Sequence, residues 1–155
     1  MDLINPPSGT FVPIALAALS APVAFVDGVE KSVPFDELLF NKGSALKFPD
    51  PAIPGFSIGG GPGLWLVQAQ FTLSVAPTTV LAKLVAESGS QTTQSSIKQA
   101  AATQGALTLS GLFLNSTAPL QADNVFTGFQ LLITGTGAGG NITGAQLLVF
   151  RLGNA

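Results

Sequence analysis

Four stretches of the chain hold residues in an order that chemistry could use. Gly135-Thr-Gly137-Ala-Gly-Gly140 has the spacing of a dinucleotide-binding turn, whose glycines let the backbone approach a pyrophosphate at a helix N-terminus. Here the next residues, Asn141-Ile-Thr-Gly-Ala-Gln-Leu-Leu-Val-Phe150, are strand-like, and no acidic ribose ligand follows them. The segment 135–141 therefore reads as a hairpin loop, since glycine supplies the positive φ of tight reversals. Gly59-Gly-Gly-Pro-Gly63 lacks the Gly-Lys-Ser/Thr of a phosphate loop and reads as a flexible turn. Ser95-Ser-Ile-Lys98 matches the spacing of a serine nucleophile with its lysine, but the companion Ser-Asp-Asn and Lys-Thr-Gly sequences are missing. Carboxylates pair loosely, Asp27 with Glu30 and Asp36 with Glu37. Neighbours on a strand face opposite ways, so Asp36 and Glu37 share neither a proton nor a metal. Asp50 and Asp123 fall in loop sequences, where calcium is one possible ligand and a solvated turn the simpler reading.

No catalytic constellation survives, and composition explains why. The chain has no His, Cys or Tyr, which removes imidazole bases, thiolate nucleophiles, the usual zinc sites and disulfides. An enzyme is not expected, nor any metal or other cofactor. The six cations, Lys31, Lys42, Lys47, Lys83, Lys98 and Arg151, are scattered through a chain of net charge −2. They form no patch that would neutralise phosphates, so nucleic acid is not an expected partner.

Charged residues are 9% of the 155, against about 25% in an ordinary domain. Mean hydropathy is +0.50, yet no run reaches the ~18 apolar residues of a membrane helix, and no membrane partner is expected. The surplus apolar surface must be hidden against other protein chains. Residues 11–25 could imitate the core of a secretion signal. Asp2 is acidic, however, no cation precedes Lys31, and Pro6, Pro7 and Pro13 interrupt a helix, so no signal is expected. Without that route the sequons at Asn115 and Asn141 read as chance.

Eighteen Gly and eleven Pro cut the chain into short pieces without a helical stripe. Strands are expected at 11–16, 22–26 and 33–40. In segment 64–74, Trp65, Val67, Ala69, Phe71 and Leu73 take one face and Gln68, Gln70, Thr72 and Ser74 the other, the period of a half-buried strand. A further strand, 79–86, follows Pro77. Residues 87–105, rich in Ser, Gln and Thr, are expected to form a long loop with a helical turn at 95–102. Apolar runs at 106–114, 125–133 and 142–150 complete an all-β chain. Short strands at this spacing indicate a jelly-roll sandwich of two antiparallel sheets. Residues 1–10 are read as an extended N-terminal arm, and residues 11–155 as the jelly-roll domain. Trp65, Val67, Phe71 and Phe129 are the candidates for core or trimer packing.

The order of several residues resembles the complement one-q family of the tumour necrosis factor jelly-roll superfamily. The matching positions are Phe35-Asp36, Asn41-x-Gly43, Phe56 before Pro62-Gly63, and Trp65 entering a strand. Leu120-Gln-Ala122-Asp123-Asn-Val125 is similar to the family's Leu-x-x-Gly-Asp-x-Val, with Ala122 in place of Gly, and Ile142-Thr-Gly144 stands near its Phe-Ser-Gly. The resemblance runs through nearly all of the chain after residue 10. It implies a tumour necrosis factor-like protomer of ten strands in a tight homotrimer, with Trp65, Val67 and Phe71 on an inner sheet. No Gly-X-Y collagen period is present.

Bare, charge-poor jelly rolls of this kind resemble the capsid decoration (cement) proteins of tailed phages. The implied function is a non-enzymatic virion protein on the outer capsid surface, a trimer that binds and stabilises the lattice of the major capsid protein. Leu3 and Ile4 would fill a capsid pocket, with Pro6 and Pro7 stiffening the arm. The alternative is a receptor- or glycan-binding head of a phage fibre. Its recognition loops would be 87–105 and 134–141, which hold no aromatic residue and only Glu87 as a carboxylate.

Overall fold

Alternation decides the fold. From Gly63 to Leu73, buried positions alternate with more exposed ones along eleven residues, as a pleated strand with one face against a core requires. The computed structural model describes residues 14–42, 46–47, 56–58, 63–88, 91–101, 107–115 and 128–153, and among these every element is a strand. The strands are β1 (Ile14–Ala18), β2 (Val23–Phe25), β3 (Lys31–Ser32), β4 (Glu37–Lys42), β5 (Leu46–Lys47), β6 (Phe56–Ile58), β7 (Gly63–Leu73), β8 (Thr79–Ser88), β9 (Gln91–Ala101), β10 (Leu107–Asn115), β11 (Gly128–Thr136) and β12 (Gly140–Gly153).

They pair antiparallel in two sheets. Sheet 1 runs β10-β7-β12-β1-β4, with β2 beside the start of β12. Sheet 2 runs β5-β6-β11-β8-β9, with β3 beside β11. The described strands thus number twelve where ten were expected, the short β2, β3, β5 and β6 among them. The chain keeps changing sheets, from β2 to β3, β3 to β4, β4 to β5, β6 to β7, β7 to β8, β9 to β10, β10 to β11 and β11 to β12. That alternation makes a jelly roll rather than two meanders.

Three expectations change. Residues 91–101 are not a loop with a helical turn but β9, paired with β8 from Thr79↔Ala101 to Ser88↔Gln91. β9 is last in its sheet's order, and a ladder made by backbone groups needs no apolar alternation. The glycines at 135–141 do not close a hairpin, because β11 and β12 lie in different sheets. Gly137 does reverse the chain with φ +96°, and its N–H donates to Asp27 Oδ1 at 2.7 Å. The reversal is an arch across the sandwich. Finally, 33–40 is interrupted at Pro34: Val33 N–H still donates to Leu131 O of sheet 2, whereas Asp36 N–H donates to Ala18 O of sheet 1. A proline with no N–H marks the crossing.

Between the sheets lies one core. Sheet 1 supplies Ala15, Ala17, Trp65, Val67, Ala69, Phe71, Phe113, Leu147 and Val149, and sheet 2 supplies Val80, Leu84, Phe129, Leu131 and Ile133. Phe129 is the aromatic bridge. Its ring centroid lies 5.4 Å from that of Phe113 in an edge-on contact and 6.4 Å from that of Trp65. Such pairs add about 0.5–1.5 kcal/mol beyond burial.

Removing that bridge opens a cavity between two sheets that cannot easily collapse. Phe129→Ala is expected to cost about 3–5 kcal/mol in a denaturant titration, whereas Phe129→Leu keeps much of the volume and costs less. Equal losses from the two variants would refute the packing argument.

Candidate functional site

Among the described residues no layer covers the outer side of sheet 1, and its composition is unusual for such a face. Its residues fall into cross-strand rows fixed by register. One row is Leu112, Leu66, Phe150, Ile14 and Lys42, from β10 across to β4. The next is Ser110, Gln68, Leu148, Leu16 and Phe40. The third is Thr108, Gln70, Gln146, Ala18 and Glu37. Beyond the first row Leu114 pairs with Leu64. Beyond the third, a bulge in β12 sets Thr143 beside Thr72, their hydroxyls 2.8 Å apart.

Two bands result. Leucine, isoleucine and phenylalanine fill the end where β1 begins, and amides and hydroxyls fill the other. Leu112 is 61% exposed, and Leu114 and Phe40 are also exposed. β1, β7 and β10 carry no charged residue, while the one cation of β12, Arg151, sits in register with Trp65 on the core side. Its guanidinium passes over Gly63, where a Cβ would strike Arg151 Nε. Lys42 and Glu37 lie only on the flanking β4. A wet antiparallel face normally alternates apolar-in with polar-out. Here Leu147-Leu148-Val149-Phe150 is apolar on both sides. An open recess of about 160 Å³, lined by Leu16, Gln68, Gln70, Gln146 and Leu148, marks the boundary between the bands.

The residues chosen from sequence fall elsewhere. Trp65, Val67, Phe71 and Phe129 are all buried between the two sheets. Leu3, Ile4, Pro6 and Pro7 of the arm lie outside the described residues, as do Asp50 and Asp123. Ser95 and Lys98 stand on the strand β9, not on a helix. Asp27 and Glu30 do not converge, since Asp27 holds Gly137 while Glu30 meets Lys83 at 2.8 Å on the surface. Among the described residues no three of His, Cys, Asp or Glu gather to hold a metal. The leucines and phenylalanines of the outer face were the residues sequence reading passed over. Their signal was present, because an unbroken apolar run in a strand means burial on both faces.

No protein-family model and no curated protein matches the chain. Solved structures do. The PRD1 vertex protein P5 superposes with a TM-score of 0.67 at 14% identity, over 92% of this chain and 99% of that one. The globular domain of zebrafish complement 1qA protein gives 0.54 at 13%, over 94% and 100%. Murine APRIL gives 0.54 at 14%, over 90% and 99%. The chain has the tumour necrosis factor-like jelly-roll fold that these structures share.

One carboxylate has a distinct electrostatic setting. Asp36 takes the Ser20 hydroxyl on Oδ2 and the Ser20 N–H on Oδ1 at 2.7 Å, tying the β1–β2 turn to the start of β4. Those two bonds, the hydroxyl first, hold its pKa below the ordinary carboxylate value, with slight desolvation opposing them. A depressed folded pKa stabilises above the unfolded value and loses that contribution as pH falls through the folded one. Ser20→Ala is therefore expected to raise the Asp36 pKa towards that of a free side chain, followed by carboxyl NMR titration. It should also flatten the acid limb of the stability curve, and an unmoved Asp36 would show that Ser20 does not set it.

Proposed function

We propose that the protein is a non-enzymatic structural protein of a phage virion, a homotrimer that decorates the outer capsid surface and stabilises the lattice of the major capsid protein. The observation that carries this reading is the apolar band on the outer face of sheet 1, whose central strands carry no outward charge. Leucine and phenylalanine rows on an open sheet need a cover, and the superfamily the sequence resembles covers its sheets by trimerising. The virion setting is supported by the fold shared with the PRD1 vertex protein P5. Because fold alone does not determine function, that support is an analogy.

The mechanism would be mass action. A trimer that binds assembled capsomers and not free ones shifts the balance towards the closed shell. Three identical arms would give avidity from individually weak contacts. Leu3 and Ile4 would supply the anchoring side chains, with Pro6 and Pro7 limiting the entropy lost when the arm docks. β1 starts at Ile14, in register with Phe150 in the apolar band.

Light scattering of the purified chain is expected to give a mass near three times 15.7 kDa. Leu112→Lys, which places an ammonium in the most exposed apolar row, should shift that particle towards monomer. Deleting residues 2–8 should leave the trimer intact and abolish saturable binding to capsids. A monomeric parent would overturn the trimer. Capsid binding that survives the deletion would remove the arm's role, and saturable binding on a glycan array would favour a recognition head instead.

A further inference from the structure

We infer that Gln68, Gln70 and Gln146 form the polar half of a self-association face, meeting the same band of the neighbouring copies as a closed belt of amides that sets their register. The inference rests on the homotrimer reading and adds which residues meet and what kind of surface they require.

Rotation about a symmetry axis carries a copy around that axis without moving it along the axis. Residues in contact across such an interface therefore sit at similar heights. If the axis runs along the strands of sheet 1, the apolar rows meet apolar rows and the glutamine row meets glutamines. An axis across the strands would press leucines on one copy against amides on the next.

The chemistry of the band suits a partner identical to itself. A side-chain amide carries two donors and an acceptor oxygen, so it can pair with its own kind. A carboxylate or an ammonium cannot, and like charges brought together oppose assembly. The central strands of the face carry amides and hydroxyls and no outward charge. About a three-fold axis each residue near the axis also comes close to its own copies, so a charge there would meet like charge, whereas amides and hydroxyls do not. Among the described residues, none donates to or accepts from these three side-chain amides, so their bonding capacity is available to a neighbour. The recess between Gln68, Gln70 and Gln146 leaves room for the neighbour's side chains to enter. A slip by one row would bury those amides against Leu148 and Leu16 without partners, a penalty that penalises wrong registers.

Charge exchange within the full chain tests this. Gln70→Glu alone and Gln70→Lys alone are each expected to weaken the trimer by about tenfold or more at low salt. Mixing the two variants is expected to restore it in part, as 2:1 mixed trimers resolved by native mass spectrometry that form more readily than either variant's own trimer. Restoration by mixing also shows that both variants are folded. Thr136→Glu, an equal charge change on an exposed position of sheet 2, should leave the trimer as it was. If the parent is a trimer and the Gln70 variants assemble as it does, or mixing restores nothing, the belt is wrong and the trimer reading stands. A parent that is monomeric at all concentrations overturns both.

Discussion

Sheet 1 is apolar over its inner face and over one half of its outer face, and the rest of the molecule follows from that. Its inner face is covered by sheet 2 through Trp65, Phe113 and Phe129. Among the described residues no layer covers its outer face. On sheet 1 the charges are few: Glu37 and Lys42 lie on the last strand, β4, and Arg151 of β12 sits in register with Trp65 on the core side, while Lys83 and Glu87 of β8 and Lys98 of β9 belong to sheet 2. With 9% charged residues the sequence has little else to place on a wet surface.

Much of the architecture could be read from particular residues. The alternation from Trp65 to Leu73 identified the strand and its inward face without reference to anything else. Pro, Gly and Asp marked most boundaries. The outer face was harder to see because Gln68, Gln70 and Thr72 made one half of β7 look conventionally half-buried, while Leu64 and Leu66 in the other half did not. Which strands lie side by side was not available from local pattern. Residues 135–141 have the chemistry of a reversal, but whether a reversal returns along its own sheet or crosses to the other depends on pairing with β7 and β8. β9 was hidden for a related reason. A polar strand at the margin of a sheet is held by its backbone, and its side chains leave no apolar signature.

The residues that first suggested chemistry serve the architecture instead. Gly137 gives the arch its left-handed turn and leaves space for Thr78, which a Cβ would strike. Asp27 caps that arch by accepting its N–H, and Gly28 N–H donates to Gly135 O from the facing loop. Asp36 does the same for the turn at Ser20. These short polar contacts sit where the chain changes sheets, and there backbone groups would otherwise lose their ladder partners. In a jelly roll with so many crossings, carboxylates and glycines are spent on corners, which accounts for dinucleotide-like and acidic patterns without a ligand.

The position of β12 has a consequence for timing. It lies between β7 and β1 in sheet 1 and is the last of the described strands to be synthesised. β8 and β9 are neighbours in sequence and can pair as soon as both have left the ribosome. β1 must wait for a partner made most of a chain later, since Ala15 pairs with Val149. Pairings so distant in sequence form slowly, and the waiting strands expose apolar edges. The surface with leucine and glutamine bands does not exist until β12 is inserted, because it contributes Gln146, Leu148 and Phe150 to the middle of every row. A copy in which β12 has not yet paired has no such surface to offer.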